Sequence, residues 1–260
     1  IGHDTAYDHM FLDGLEDAYE EGRAMGTFAQ EMADKYQLTR ESMDEFSIES
    51  LRRANAAIES GAFEKEIVPV TFTNRGGEQT VDTDEGPSKG RPDKIPSLRP
   101  AFAKDGTITA ATSSSISDGA AAIVLSSESK AKEKGLKPVA RIVAHAAHAQ
   151  EPAEFTIAPV GAIQKVLDQA GWSVDDVDLW EVNEAFACVT MFAMQDIGIS
   201  HDKINVNGGG TALGHPIGCS GTRIITTLLG ALETQGKKRG IASLCIGGGE
   251  ATAVAVELID

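Results

Sequence analysis

Two glycine-rich turns near the C-terminal end each hold one side chain able to do chemistry. The first runs Asn207-Gly208-Gly209-Gly210-Thr211-Ala212-Leu213-Gly214-His215-Pro216-Ile217-Gly218, and the second is Cys245-Ile246-Gly247-Gly248-Gly249. Glycine weakens strands and helices, so eight glycines in two turns imply close approach by a backbone, a substrate or a partner. A neutral imidazole in such a setting can act as a base or donate a hydrogen bond to an oxyanion. Two readings stand for Cys245. It is an inert buried thiol, or a reactive one at a strand end beside backbone N–H groups that form an anion nest. Cys188 lies in an apolar helical run and reads as core, and Cys219 reads as packing at a helix start. A zinc site from His215, Cys219 and Cys245 lacks paired ligand spacing, so no metal is expected. The glycines do not fit the G-x-G-x-x-G opening of a dinucleotide site either. Asn183-Glu184-Ala185-Phe186 follows a strand and opens a helix. Asn183 reads either as a helix N-cap or as an amide that orients a water or polarises a carbonyl.

The elements that must position these residues follow from periodicity. From residue 139 the pattern alternates: a strand (139–146), a helix (159–170) with Pro159 at its start, a strand (177–182), an apolar helix (185–196) and a short strand (204–206). A helix after Pro216 carries Ile224, Ile225, Leu228, Leu229 and Leu232 on one face. Strands 241–246 and 252–258 close the chain around the triple-glycine turn. Upstream, residues 1–26 read as loop with a short helical turn, 27–37 as a helix after Thr27, and 40–60 as a longer helix capped by Thr39 and stopped by Gly61. Residues 67–73 and 80–81 read as strands around Asn74-Arg75-Gly76-Gly77, and 84–106 as an irregular connection. Ile123-Val124-Leu125 reads as a buried strand, Ser127 as the cap of a small helix ending at Gly135, and Lys137-Pro138 as a linker. The class is α/β and layered.

Composition narrows the function classes. A chain of 260 residues, 42% hydrophobic and 24% charged, can bury a full core. Its formal charge of −16 argues against nucleic acid or an anionic membrane as partner. Residues 1–60 hold 14 acidic and 5 basic side chains. The one locally basic stretch, Lys89, Arg91, Lys94, Arg99 and Lys104, is either a solvated face or a phosphate contact. No run reaches the roughly 20 apolar residues of a membrane span. Three cysteines without paired spacing fit free thiols in a reducing, cytoplasmic compartment.

Taken together these residues resemble the thiolase family. Asn183-Glu184-Ala185-Phe186-Ala187, the stretch from Asn205 to Gly218, and Cys245-Ile246-Gly247-Gly248-Gly249 carry the match, in that order, with 32 residues from Asn183 to His215 and 30 from there to Cys245. Leu98-Arg99-Pro100-Ala101-Phe102 and the serine segment from Thr109 to Gly119 add a weaker one. The resemblance implies a layered αβαβα fold, incomplete here, with an α+β loop domain (1–106), the end of the N-terminal domain and a linker (107–137), and the C-terminal domain (138–260). It implies an acyl-CoA C-acyltransferase that makes or cleaves 3-ketoacyl-CoA, with acetyl-CoA and acetoacetyl-CoA as the expected pair, coenzyme A entering only as part of the substrate and no other cofactor. His215 would activate the nucleophilic thiol and hold the thioester oxygen. Cys245 would move the α-carbon proton, Asn183 would fix a water in one oxyanion hole, and the Gly247 N–H would serve the other. Ser114 and Ala110 would lie along the pantetheine, and Phe102 and Phe186 would wall the tunnel. Met25, beside Ala24 where a family histidine borders the CoA site, is counted with the CoA contacts. Thr112 and Ser117 stand where many thiolases have Asn, and Ser115 where they have Gly. The family's acyl-accepting cysteine belongs upstream of everything here, so a catalytically incomplete acyl-CoA-binding or scaffold protein is the alternative. A homodimer or homotetramer is the implied assembly.

Overall fold

The computed structural model describes residues 1–259. It is built on a four-stranded sheet in which β3 (Ala140–Ala149), β6 (Glu250–Leu258), β5 (Arg239–Ile246) and β4 (Leu179–Val182) lie in that order. β3–β6 and β6–β5 are antiparallel, whereas β5–β4 is parallel with Val182 opposite Ser243. The pleat sends alternate side chains to opposite faces. Trp180, Val182, Ile241 and Cys245 join one core, and Leu179, Ala242 and Val256 the other.

Helices cover both faces. α6 (Ala158–Ala170) and α7 (Ala187–Ile197) close the first, burying Ile163, Val166, Val189 and Phe192 completely. Pro159 sits in the first turn of α6, where a missing N–H is no loss, and Gly171 ends the helix in the left-handed region. α9 (Ile217–Thr234) covers the second face with Ile224, Leu228 and Leu232. Each of these side chains stabilises the fold by about 1.5–3 kcal/mol through burial. No helix among the described residues is long and apolar enough to cross a membrane.

The first half of the chain packs onto this frame. α1 (His9–Gly14), α2 (Met25–Lys35) and α3 (Arg40–Glu59) precede an exposed hairpin of β1 (Val70–Asn74) and β2 (Gly77–Val81). A short α4 (Glu85–Lys89) follows, and α5 (Glu128–Glu133) comes just before β3. Thr39 caps α3 by accepting the Ser42 N–H at 3.1 Å, as its sequence position predicts. α2 begins at Met25, before the predicted start, because the Thr27 hydroxyl bonds the Ala24 carbonyl within the first turn instead of capping it.

Two predicted strands do not form. Residues 204–206 make only a single bridge, Ile204 to Trp180, because Asn205 takes a left-handed backbone (φ 47°) and turns its amide onto Val182. Ile123-Val124-Leu125 is unpaired, with Val124 92% and Leu125 72% exposed. An apolar run becomes a buried strand only when neighbours take up its N–H and C=O groups, and none does among the described residues. The result is one four-stranded sheet between helical layers, with the β1–β2 hairpin apart from it.

Candidate active site

The C-terminal ends of the parallel strands β4 and β5 lie side by side, the edge where α/β sheets place ligands. The Asn183 N–H donates to the Ser243 carbonyl at 3.0 Å, setting Asn183 just past the end of β4 and beside β5, which carries Cys245 one residue before its end. His215 arrives from the loop before α9, held by its own N–H to the Ser115 carbonyl at 3.1 Å. Asn183 Nδ2 stands 3.5 Å from His215 Nδ1 and 3.4 Å from Nε2. Ser220 Oγ lies 2.6 Å from Nδ1. Burial, aided by the nearby Arg223 charge, pushes the His215 imidazole down to about 4, so the ring is neutral at physiological pH. Asn183 is 1% exposed, and its Oδ1 has no protein partner.

The glycines of the first turn make room for Glu184 and α3. Glu184 is fully buried, and its carboxylate accepts from Ser50 Oγ (2.7 Å), Asn205 Nδ2 (2.8 Å), the Thr211 N–H (3.1 Å) and Thr211 Oγ1 (2.6 Å). Ser50 Oγ also accepts the Gly209 N–H at 3.0 Å. A Cβ on Gly209 would fall 2.3 Å from the Glu184 carboxyl carbon, and one on Gly208 2.6 Å from the Ser50 carbonyl oxygen. The close approach expected from sequence is therefore that of the protein's own carboxylate and helix. This network ties α3, the end of β4 and α8 (Gly210–Leu213) into one unit, which fixes where the loop delivers His215.

Cys245 is buried on β5, and burial pushes its thiol up to about 12. Desolvation outweighs the backbone N–H, which pulls the other way. Cys188 lies fully buried in α7 as expected, its thiol also pushed up by burial, and Cys219 is buried at the start of α9. Met25 meets the second turn, its Sδ 2.8 Å from where a Cβ on Gly247 would stand. Phe102 and Phe186 pack edge to face with centroids 5.9 Å apart. Ser114 donates both its N–H (3.0 Å) and its hydroxyl (2.9 Å) to the Ala185 carbonyl, which joins the serine segment to the start of α7. Ala110 is an exposed turn residue. The basic stretch is exposed, with Lys89 on Glu85 and Lys94 on Asp93.

Three groups near His215 escape a reading by motif. Glu184 lies inside a quoted stretch, yet its four donors come from elsewhere in the chain. Ser220 is one turn into α9, and only the oddity of a hydroxyl in an apolar helix start could have marked it. Glu181 and Arg223 face each other across β4 and α9, with Arg223 Nη1 3.6 Å from Glu181 Oε2. Their side chains are almost wholly buried in the one case and largely so in the other.

Comparisons with known proteins find relatives along nearly the whole chain. Residues 1–129 match the thiolase N-terminal domain family and residues 136–258 the thiolase C-terminal domain family. A probable acetyl-CoA acetyltransferase of Dictyostelium discoideum is 49% identical over 98% of this chain and 62% of its own length. Acetyl-CoA acetyltransferase 2 of Arabidopsis thaliana is 48% identical over 100% of this chain and 65% of its own. The crystal structure of the Bacillus anthracis acetyl-CoA acetyltransferase superposes with a TM-score of 0.95 at 42% identity, covering 100% of this chain and 66% of that one. A thiolase of Ascaris suum in complex with coenzyme A superposes at 0.92 with 41% identity, over 99% of this chain and 66% of that one. The chain thus spans just under two thirds of the length of these relatives. Matched along nearly all of its own length, with the expected α/β architecture, the chain belongs to the thiolase family.

Proposed function

We propose that this chain carries the enolate-stabilising half of a thiolase, an acetyl-CoA C-acyltransferase that makes or cleaves acetoacetyl-CoA. The contact between Asn183 and His215 at the end of β4, beside the strand that carries Cys245, is the observation that carries the reading. A carbanion α to a thioester is unfavourable in water, and preorganised donors at the developing oxygen lower its cost. Neutral His215 takes the proton of the acyl-accepting thiol and then presents Nε2–H to the thioester oxygen. Asn183 Oδ1, buried and without a protein partner, suits a water that shares that oxyanion. The Gly247 N–H serves the second oxyanion. Cys245, a neutral thiol in its buried state, is suited to give its proton to the α-carbanion in cleavage, where the S–H bond breaks and the electron pair stays on sulfur. Condensation runs the step in reverse, the Cys245 thiolate taking the α-proton of acetyl-CoA as the enolate forms.

Coenzyme A, present in the Ascaris suum structure, is the proposed partner, with Ser114, Ala110, Met25, Phe102 and Phe186 along its arm. A cytoplasmic location and a homodimer or homotetramer are part of the same reading, as is the division at residues 106 and 137. The test is to co-express this chain with the upstream segment of a thiolase that holds the acyl-accepting cysteine and assay CoA-dependent cleavage of acetoacetyl-CoA. Turnover that disappears in His215→Ala supports the proposal. Coenzyme A binding without turnover would instead identify an acyl-CoA-binding protein.

A further inference from the structure

His215 has two ring nitrogens, and the roles proposed for it need a particular one free. We infer that Ser220 is a positioning residue that holds His215 as the Nδ1–H tautomer and so keeps the Nε2 lone pair available to accept a proton. The inference rests on the proposed function for its purpose, though not for its geometry.

Ser220 is completely buried in the first turn of α9, and its hydroxyl has two partners. Oγ lies 2.6 Å from His215 Nδ1 and 3.1 Å from the Pro216 carbonyl oxygen. A hydroxyl has one hydrogen to give, and a carbonyl can only accept. Both bonds are made together only if the Ser220 hydrogen goes to Pro216 and Nδ1–H donates to Ser220 Oγ. Asn183 Nδ2 faces both ring nitrogens at nearly equal distance. Asn183 Nδ2 is a donor, so the ring nitrogen it meets must offer a lone pair. With Nδ1 committed to Ser220, that nitrogen is Nε2, at 3.4 Å. The two Ser220 bonds therefore select the Nδ1–H tautomer, and Asn183 Nδ2, 3.5 Å from Nδ1 and 3.4 Å from Nε2, is compatible with that tautomer without selecting it.

The arrangement also serves a ring that changes charge. When Nε2 takes a thiol proton, the S–H bond breaks, the electron pair stays on sulfur and a new N–H forms. The Nδ1–H to Ser220 bond is unchanged and strengthens as the ring becomes cationic. No internal proton shift is needed between acting as a base and donating to an oxyanion. Fixing the tautomer of a catalytic histidine through Nδ1 is worth a large factor in rate in hydrolytic triads, where a carboxylate does the fixing. Here a hydroxyl relayed to a helix-start carbonyl does it.

The test reads the tautomer directly. In the full 260-residue chain labelled with 15N-histidine, with His215 assigned by difference from His215→Asn, nitrogen–proton correlation at pH 7 should show a pyrrole-type Nδ1 and a pyridine-type Nε2. Ser220→Ala should shift the pair toward Nε2–H or toward averaged values, and Ser220→Thr should restore the wild-type pattern. Amide spectra of each variant establish that the fold is kept. An Nε2–H ring in the wild type, or a Ser220→Ala ring indistinguishable from it, overturns the inference. In the complex with an upstream thiolase segment, Ser220→Ala should lower kcat at least about tenfold with KM for acetoacetyl-CoA nearly unchanged, and Ser220→Thr should recover the rate. An inactive wild-type complex would count against the proposed function, while the nitrogen spectra still decide the role of Ser220.

Discussion

The carboxyl of Glu184 occupies the space that a side chain on Gly209 would need, 2.3 Å from the position of a Cβ. A glycine here is thus required by a neighbouring carboxylate that itself ties α3 to the His215 loop. Gly209→Ala should destabilise the fold by about 3 kcal/mol or more, since neither the buried carboxyl nor the backbone has room to yield. Glu184→Ala should be comparably severe for a different reason. It strands the donors of Ser50, Asn205 and Thr211, at about 1–3 kcal/mol for each that finds no water. Urea unfolding of the two variants measures both, and a loss under 1 kcal/mol in either would contradict the network described.

Stability should fall as pH rises, because Glu181 is buried with Arg223 too distant for a hydrogen bond. Burial lifts its carboxyl to about 8, with Arg223 opposing and Glu184 and Glu66 adding to the rise, and burial lifts Glu66 to about 7. A carboxyl whose folded pKa lies above its unfolded one stabilises fully below the unfolded value and loses that contribution as pH climbs through the folded value. His215 works at the other end. Its folded pKa of about 4 lies below the unfolded value, so its contribution is present above about 6.5 and is lost as pH falls toward 4. Denaturation midpoints from pH 4 to 9 should therefore peak near about pH 4.5, above which the two carboxyls outweigh His215, and decline toward 8. Glu181→Gln should flatten most of that alkaline decline; an unchanged slope would mean that Glu181 is charged in the folded state.

Cys245 should be a slow nucleophile in the free chain. Its thiol is buried and pushed up to about 12, so little thiolate exists near neutrality. With Cys188 and Cys219 replaced by alanine, iodoacetamide should modify Cys245 at pH 7.5 at no more than about a tenth of the rate for glutathione. Faster labelling would place the thiol in a polar setting that the structure does not show. In the complex with an upstream segment, Cys245→Ser should slow condensation far more than acyl transfer to the enzyme, and equal losses in the two half-reactions would contradict its assignment to the α-proton.

What the sequence made legible was local. The Thr39 cap, the apolar face of α9 and the strands flanking Gly247-Gly248-Gly249 depend on residues a few positions apart, and periodicity or capping chemistry reads such distances directly. His215, Asn183 and Cys245 stood out because each is a reactive or polar side chain at an element's end. The partners of Glu184 could not be read that way, since Ser50 reaches it across 134 positions and only the packing of α3 against α8 brings them together. The direction of the Cys245 shift was likewise hidden. It depends on how much of the first core covers the thiol, and no spacing encodes that. Asn205 misled for a third reason: its neighbours favour a strand, but a left-handed backbone and a side chain bonded to Val182 override them.

The failed strand at residues 123–125 makes the last prediction. Residues 116–126 make no backbone hydrogen bond among the described residues, and Ile116, Val124 and Leu125 are exposed. Beside them an open hollow of about 420 Å³ lies between Ser117–Ala121 and Pro216–Cys219. An unpaired apolar segment of this kind is a template for a neighbouring strand. In the chain alone its amides should exchange with deuterium at nearly the rate of an unfolded peptide, while those of β5 and β6 stay protected. Adding the upstream segment of a thiolase should slow exchange at Ile123, Val124 and Leu125 by about a hundredfold or more if the two pair as strands. The same addition should leave β1 and β2, an exposed hairpin, unaffected. Protection that appears across the whole chain would signal general stabilisation instead, and protection absent from 123–125 would show that the segment is not a pairing edge.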